Sequence, residues 1–265
     1  MKWMLLLAAG FTILSFPAVA QQPDSAQIAV HYKFSYVYDT TNRDKPYLEN
    51  MILLVGRRSG VYKTTEGSDQ QRVSTNPDGT TRTNTRHTGT RVEYYQFPNE
   101  KRVVRKDWIP MNAFIVADAM PAIDWHISKD TATYGSLHCQ KATTHFKGRD
   151  YTAWFCADLP LHVGPWKLNG LPGVIVEAYD ATNEVRFTFD GVSKPDPTII
   201  VPPVNGVKAS EKEFSKFEEM STKDPEAYSK LMAQYNSGNG LNMAVGIKPA
   251  SKPVINNPIE LREKK

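Results

Sequence analysis

The chain has 265 residues, 40% of them hydrophobic, and carries 32 Lys and Arg against 28 Asp and Glu, a formal charge of +4. That apolar content excludes a disordered polymer and can fill a sizeable core. The slight, dispersed positive charge gives no electrostatic footprint for nucleic acid.

The first residues combine Lys2, an apolar run from Leu5 to Leu14, and Ala18-Val19-Ala20. A charged start, an apolar stretch too short to span a bilayer and a small-x-small site predict a cleavable export signal over 1–20, cut before Gln21. No cysteine follows the cut, so no lipid anchor is expected, and no later run is long and apolar enough for a transmembrane segment. The remainder reads as one domain over 21–235 and an extended tail over 236–265. The expected location is the periplasm or beyond the cell.

Ile28 to Tyr38 alternates, with Val30, Tyr32, Phe34, Tyr36 and Tyr38 on one face, the period of a half-buried strand. Glu49 to Val55 and Ser59 to Thr64 predict two more strands around Gly56-Arg57-Arg58. Residues 65–90 are polar, with Asn76-Pro77-Asp78-Gly79 as a turn signal, and predict a mobile hairpin or loop. Arg82, Arg86 and Arg91 in and beside it read as a solvated face. Strands resume at Arg91 to Phe97 and Lys101 to Lys106, and Asn112 to Ala117 and Asp124 to Ile127 extend the series.

Cys139 and Cys156 are the only cysteines, and in an oxidising compartment they are expected to pair. If Lys147-Gly148 is a two-residue hairpin turn, the register sets Cys139 opposite Cys156, Lys141 opposite Trp154, Thr143 opposite Thr152 and His145 opposite Asp150. Ala142, Phe146, Tyr151, Ala153 and Phe155 then share the core face. A redox-active pair is the alternative, but the spacing is not Cys-x-x-Cys at a helix start. Farther on, Asn169-Gly170 suits positive dihedrals, and Pro172-Gly173 suits the centre of a type II turn leading into a strand at Val174 to Tyr179. A phosphate-binding loop is disfavoured there, because a strand follows and supplies no helix amides. Val185 to Phe189 returns as a hairpin. Ser210-Glu211-Lys212-Glu213 is a capping box before Phe214, Phe217 and Met220, and Asp224-Pro225 starts a second helix bearing Tyr228, Leu231, Met232 and Tyr235. A last short contact is expected at Pro258 to Leu261.

Gly170-Leu171-Pro172-Gly173-Val174-Ile175, with Ala153-Trp154-Phe155, Pro160, Gly164-Pro165-Trp166 and Lys141-Ala142-Thr143, resembles the GLPGLI proteins of Bacteroidetes. The first long strand, Leu54-Val55-Gly56 and Asn257-Pro258-Ile259-Glu260 extend the resemblance along nearly the whole chain, and Val174 stands where that family has Leu. The resemblance implies an exported protein, often encoded near outer-membrane transport genes, without an established activity or catalytic residues.

The fold class expected is α+β, β-dominated: a curved antiparallel sheet, in outline a half-barrel, with two C-terminal helices covering one face. That outline is an architectural analogy to lipoprotein carriers. The function expected is non-enzymatic binding, with an apolar ligand if a closed cavity exists, or an outer-membrane partner such as a TonB-dependent transporter if an aromatic patch is exposed. Trp154 and Trp166 are the candidates for that surface, their other role being packing around the disulfide and turn. The alternative is a hydrolase or metalloenzyme using His126, His138, His145 and His162 with Asp124, Asp150 and Asp158, although no known ligand or nucleophile spacing is present. No cofactor signature occurs.

Overall fold

The computed structural model describes residues 24–65, 69–75, 81–87, 89–109, 112–238 and 255–261. The export signal, the Asn76 to Gly79 turn and most of the tail lie outside them. The strands are β1 (Asp24–Ser25), β2 (Ile28–Tyr36), β3 (Tyr47–Val55), β4 (Gly60–Thr64), β5 (Asp69–Thr75), β6 (Thr81–His87), β7 (Glu93–Phe97), β8 (Arg102–Ile109) and β9 (Asn112–Ala119). They continue as β10 (His126–Tyr134), β11 (Leu137–Phe146), β12 (Arg149–Cys156), β13 (Val174–Asp180), β14 (Val185–Ser193), β15 (Ile199–Ile200) and β16 (Val207–Ala209), before helices α1 (Glu211–Lys223) and α2 (Pro225–Gly238).

A single 12-stranded sheet runs in the order β10-β11-β12-β13-β14-β2-β3-β4-β7-β8-β9-β16. The protein is α+β and β-dominated; the large sheet curves without closing into a barrel. All pairings in it are antiparallel except β16, which runs parallel to β9. Alternation explains β2: Val30, Tyr32 and Tyr36 are buried on one face, and β2 lies between β14 and β3. Within the stretch 65–90, β5 pairs antiparallel with β6 as a two-stranded sheet of its own.

The disulfide hairpin follows the expected register: Cys139 faces Cys156 and they are bonded, Lys141 faces Trp154, Thr143 faces Thr152 and His145 faces Asp150. Its turn works because Lys147 and Gly148 both take positive φ, 52° and 73°, which matches the twist of the flanking strands. One expectation fails at Gly173. No positive φ occurs there, so the turn is not type II; the Gly173 N–H instead donates to the Leu171 carbonyl at 2.8 Å. Glycine is required at 173 because a Cβ would collide with the Cys156 carbonyl. At the neighbouring pair, Gly170 takes φ +90° while Asn169 does not enter the left-handed region.

Residues 157–173 run without regular strand structure. Leu161, Val163, Trp166, Leu168 and Leu171 are buried there in one core cluster with β2, β3, β4 and β11 to β14. This plug packs against one face of the sheet through those residues. The helices act elsewhere: Phe214, Tyr228 and Met232 pack with Ile109, Phe114, Val116 and Val207 in a separate cluster at the β8, β9 and β16 end. Ser210 and Glu213 form the reciprocal capping box, and Asp224 caps α2 through the Ala227 N–H at 3.0 Å. Among the described residues no helix is long and apolar enough to cross a membrane.

Candidate ligand cavity

The alternation of β2 sends Phe34 and Tyr36 to the concave side. Tyr47, Glu49 and Met51 of β3 and Tyr62 of β4 point the same way, and Tyr94 of β7, Phe187 of β14, Thr90 and Val92 complete that arc. Trp166 of the plug closes the space from one side, and Tyr38, Ile255 and Ile259 from the other. The cleft is partly open to solvent and offers about 550 Å³, within the range of pockets for small organic ligands. Its walls are overwhelmingly aromatic and aliphatic. Phe34 stacks on Phe187 with ring centroids 5.0 Å apart, and Tyr62 meets the edge of Phe187 at 6.1 Å.

Trp166 is held in place by a residue with no apparent signal in sequence. Gln96, fully buried, donates from Nε2 to the carbonyls of Gly164 and Trp166 at 2.8 and 2.9 Å and accepts the Gly164 N–H at 3.2 Å. That clamp supports a left-handed Trp166, φ 55°, and its ring packs on Phe146 and Tyr151. The Gly170 to Gly173 motif secures the far end of the same plug. Leu171 is buried, the Asn169 amide donates to the carbonyls of Pro121 and Lys167 at 3.2 and 2.9 Å, and the Asn169 carbonyl accepts from Trp125 Nε1 at 2.8 Å. Trp166 is 4% exposed. It therefore belongs to no exposed patch: its ring faces inward because the clamp and the aromatic core leave it no outward route. Trp154, half-buried on the hairpin's other face, packs against Tyr134 at 6.0 Å.

Glu49, 5% exposed, is the one charged side chain among the described lining residues. Each of its oxygens accepts one hydrogen bond: Tyr47 O–H donates to Oε2 at 2.5 Å and the Thr90 N–H to Oε1 at 2.6 Å. Glu49 thus ties the return of residues 65–90 to β3. Tyr62 differs, for its buried hydroxyl has no hydrogen-bond partner among the described residues. Burial drives the Tyr62, Tyr94 and Tyr36 phenols upward, the last to about 12, so all three remain uncharged at neutral pH.

The remaining wall comes from residues 255–261 and is fastened by Arg149, whose side chain is 3% exposed. Its guanidinium donates to Asp180 Oδ2 at 2.6 Å and Glu184 Oε2 at 3.2 Å on one side. On the other it reaches Asn257 Oδ1 at 2.6 Å, the Pro258 carbonyl at 2.9 Å and the Ile259 carbonyl at 3.0 Å. Asn257 returns donors to the Val37 carbonyl and Glu184, Tyr36 O–H donates to the Asn257 carbonyl, and Leu261 N–H donates to the Lys147 carbonyl. Burial alone would raise Glu184, but hydrogen bonds from Arg43, Arg149 and Asn257 outweigh it and hold the carboxyl below its ordinary value. Glu260 behaves alike: burial is outweighed by Lys167 and Lys147. The expected contact at Pro258 to Leu261 therefore exists, and through Ile259 it walls one side of the cavity.

The histidines do not form one site. His126 and His145 border the same shallow depression as Asp124 and Asp150, and His145 Nδ1 lies 2.6 Å from Asp150 Oδ1. His138 stands near the other end of β11, its Nδ1 3.8 Å from Asp158, and His162 is exposed on the plug. Among the described residues no three His, Cys, Asp or Glu side chains gather as metal ligands.

No family model matches the chain, and no curated protein matches it. Among solved structures it is similar to PNGF-II. In a C2 crystal form the TM-score is 0.52 at 11% identity, covering 73% of this chain and 32% of that one. In a P21 form the TM-score is 0.54 at 12% identity, covering 74% and 34%. The chain spans about a third of the length of PNGF-II, and the likeness is one of fold.

Proposed function

We propose that this is an exported, non-enzymatic carrier of the GLPGLI type that holds an apolar ligand in the cavity between β2, β3, β4 and the plug. The observation that carries the reading is the cavity itself: about 550 Å³ of space walled by Phe34, Tyr47, Tyr62, Trp166 and Phe187. A cleft of that size with aromatic walls is favourable to an apolar guest. The depression at His126 and His145 is shallow, and among the described residues no three His, Cys, Asp or Glu side chains gather there as metal ligands, so a metalloenzyme finds less support. Export implied by residues 1–20 would bring the cargo to outer-membrane proteins, and a TonB-dependent transporter is the partner the family resemblance suggests.

The test is Nile red fluorescence with the full mature chain, together with mass spectrometry of solvent extracts from protein purified without detergent. Saturable blue-shifted emission is expected, and Met51→Trp should abolish it by filling the cavity while the melting transition stays cooperative. Ile259→Trp does the same from the opposite wall. Absence of saturable binding by a folded wild-type chain would sink the carrier reading.

A further inference from the structure

We infer that the cleft binds organic cations, the class of quaternary ammonium amphiphiles with an apolar tail, in preference to neutral or anionic amphiphiles of the same tail. This rests on the carrier reading and adds the charge of the cargo's head. The pointer is the make-up of the walls. Eight of the 14 described lining residues are aromatic, one is the carboxylate Glu49, and none is Lys, Arg or His.

Ring surface lies within reach of a guest. Phe34, Tyr38, Tyr47 and Tyr94 line the cleft and are only half-buried, and the cleft is partly open to solvent. Phe34 stands in the middle of a run of rings, with centroids 5.0 Å from Phe187, 6.2 Å from Tyr36 and 6.3 Å from Tyr47. Tyr38 continues the run 6.4 Å from Tyr36. Aromatic faces carry partial negative charge and attract a cation placed over them, the more so where water is scarce. Rings alone would suit a neutral guest as well.

Glu49 decides between the two. Both its oxygens accept, from Tyr47 O–H and Thr90 N–H, the pattern of a carboxylate. A guest need not touch this buried group, because its charge reaches the cleft through Tyr47. The phenol that donates to the carboxylate at 2.5 Å belongs to the half-buried ring that lines the space, and a charge-assisted hydrogen bond polarises that ring toward a cation. No cationic side chain among the described lining residues offsets the charge. An anionic head would shed its water, gain no counter-charge and be repelled by Glu49. A primary ammonium is strongly hydrated and brings three donors that need acceptors. A quaternary nitrogen has no N–H to satisfy, which suits walls made of rings.

The experiment displaces Nile red from the full mature chain at neutral pH with decyltrimethylammonium, decanol and decanoate, each below its micelle-forming concentration and with the melting transition intact. The three share a tail and differ in the head. Decyltrimethylammonium should displace the dye at a concentration about tenfold below decanol and about a hundredfold below decanoate. Glu49→Gln removes the charge at nearly constant size and should cut the preference for the cation over decanol about tenfold. Phe34→Leu keeps the wall apolar without the ring face and should cut it about three- to tenfold. The preference is a ratio of two affinities in one protein, so a general loosening of the cleft cancels. Should Glu49→Gln not fold, the wild-type order and Phe34→Leu still decide. Decanol or decanoate binding as tightly as decyltrimethylammonium, or a preference unaltered in a folded Glu49→Gln or Phe34→Leu chain, would overturn the inference. If Nile red fails to bind the folded chain, the carrier reading falls and takes this inference with it; if the dye binds and the head-group order is wrong, only this inference falls.

Discussion

The cavity has two unlike walls. On the plug side, Trp166 is fixed by burial in an aromatic core and by the neutral Gln96 clamp, with the disulfide hairpin and the Gly170 to Gly173 turns packed behind it. On the tail side, residues 255–261 contribute Ile255 and Ile259 to the lining, but they are fastened by charged and amide groups: Arg149, Asp180, Glu184, Asn257 and Glu260. Apolar packing resists small perturbations because it is spread over many contacts. A buried ionic knot is all-or-nothing, since removing one member strands the others. The plug wall is thus the permanent one and the tail wall the separable one.

Arg149→Met gives the largest expected break. It leaves Asp180 buried without its cation, leaves Glu184 with Arg43 alone, and frees Asn257 and two carbonyls, a loss of about 3–5 kcal/mol by the usual cost of splitting a buried pair. Urea denaturation should show it as a lowered midpoint. Limited proteolysis should cut at the tail before it cuts anywhere in the plug. Equal protection of both walls would mean that Arg149 does not hold the tail.

The reverse test weakens the plug. Replacing Cys139 and Cys156 together by Ala removes the hairpin crosslink, and a loop of this length predicts a loss of about 3 kcal/mol. The measurement is again the denaturation midpoint, with free-thiol titration of the unreduced wild type as control: no free thiols are expected. Gln96→Leu comes next, at about 1–3 kcal/mol, because the Gly164 N–H and the Gly164 and Trp166 carbonyls lose their partner. It should change Trp166 emission and Nile red binding and leave the tail's proteolysis untouched.

How much of this could be read from the residues differs between the walls in the same way. The hairpin from β11 to β12 was legible because a two-residue turn imposes a register, and Lys147-Gly148 imposes it through positive φ. The capping box at Ser210 was legible because its chemistry is local. Gly173 was legible as an obligatory glycine but not for the right reason, since its constraint is the Cys156 carbonyl, a tertiary neighbour. Trp166 pointed inward rather than out because Gln96, far away in sequence, captures its turn. The tail wall was almost opaque: only the short contact at Pro258 to Leu261 was foreseen, and Arg149 to Asn257 is a contact 108 residues apart. The parallel pairing of β16 with β9 and the placement of β2 between β14 and β3 have no local signature either.

The smallest perturbation is a proton, and it tests the asymmetry without altering a residue. Glu184 and Glu260 both have folded pKa values held below their ordinary 4.5. A group with a depressed folded pKa binds protons more readily when unfolded, so its contribution is fully present above about pH 4.5 and is lost as pH falls through the folded value. Arg43, Arg149, Lys147 and Lys167, which face these carboxylates, stay protonated throughout, so acidification removes the anionic partner that Glu184 or Glu260 gives each of them. Gln96 and Trp166 have no proton to gain. Pepsin digestion over a falling pH series should therefore release the tail around Asn257 while the plug around Trp166 remains protected, and Nile red should leave with the tail. Release of both walls at one pH would show that they form a single cooperative unit, and the division drawn from their bonding would be wrong.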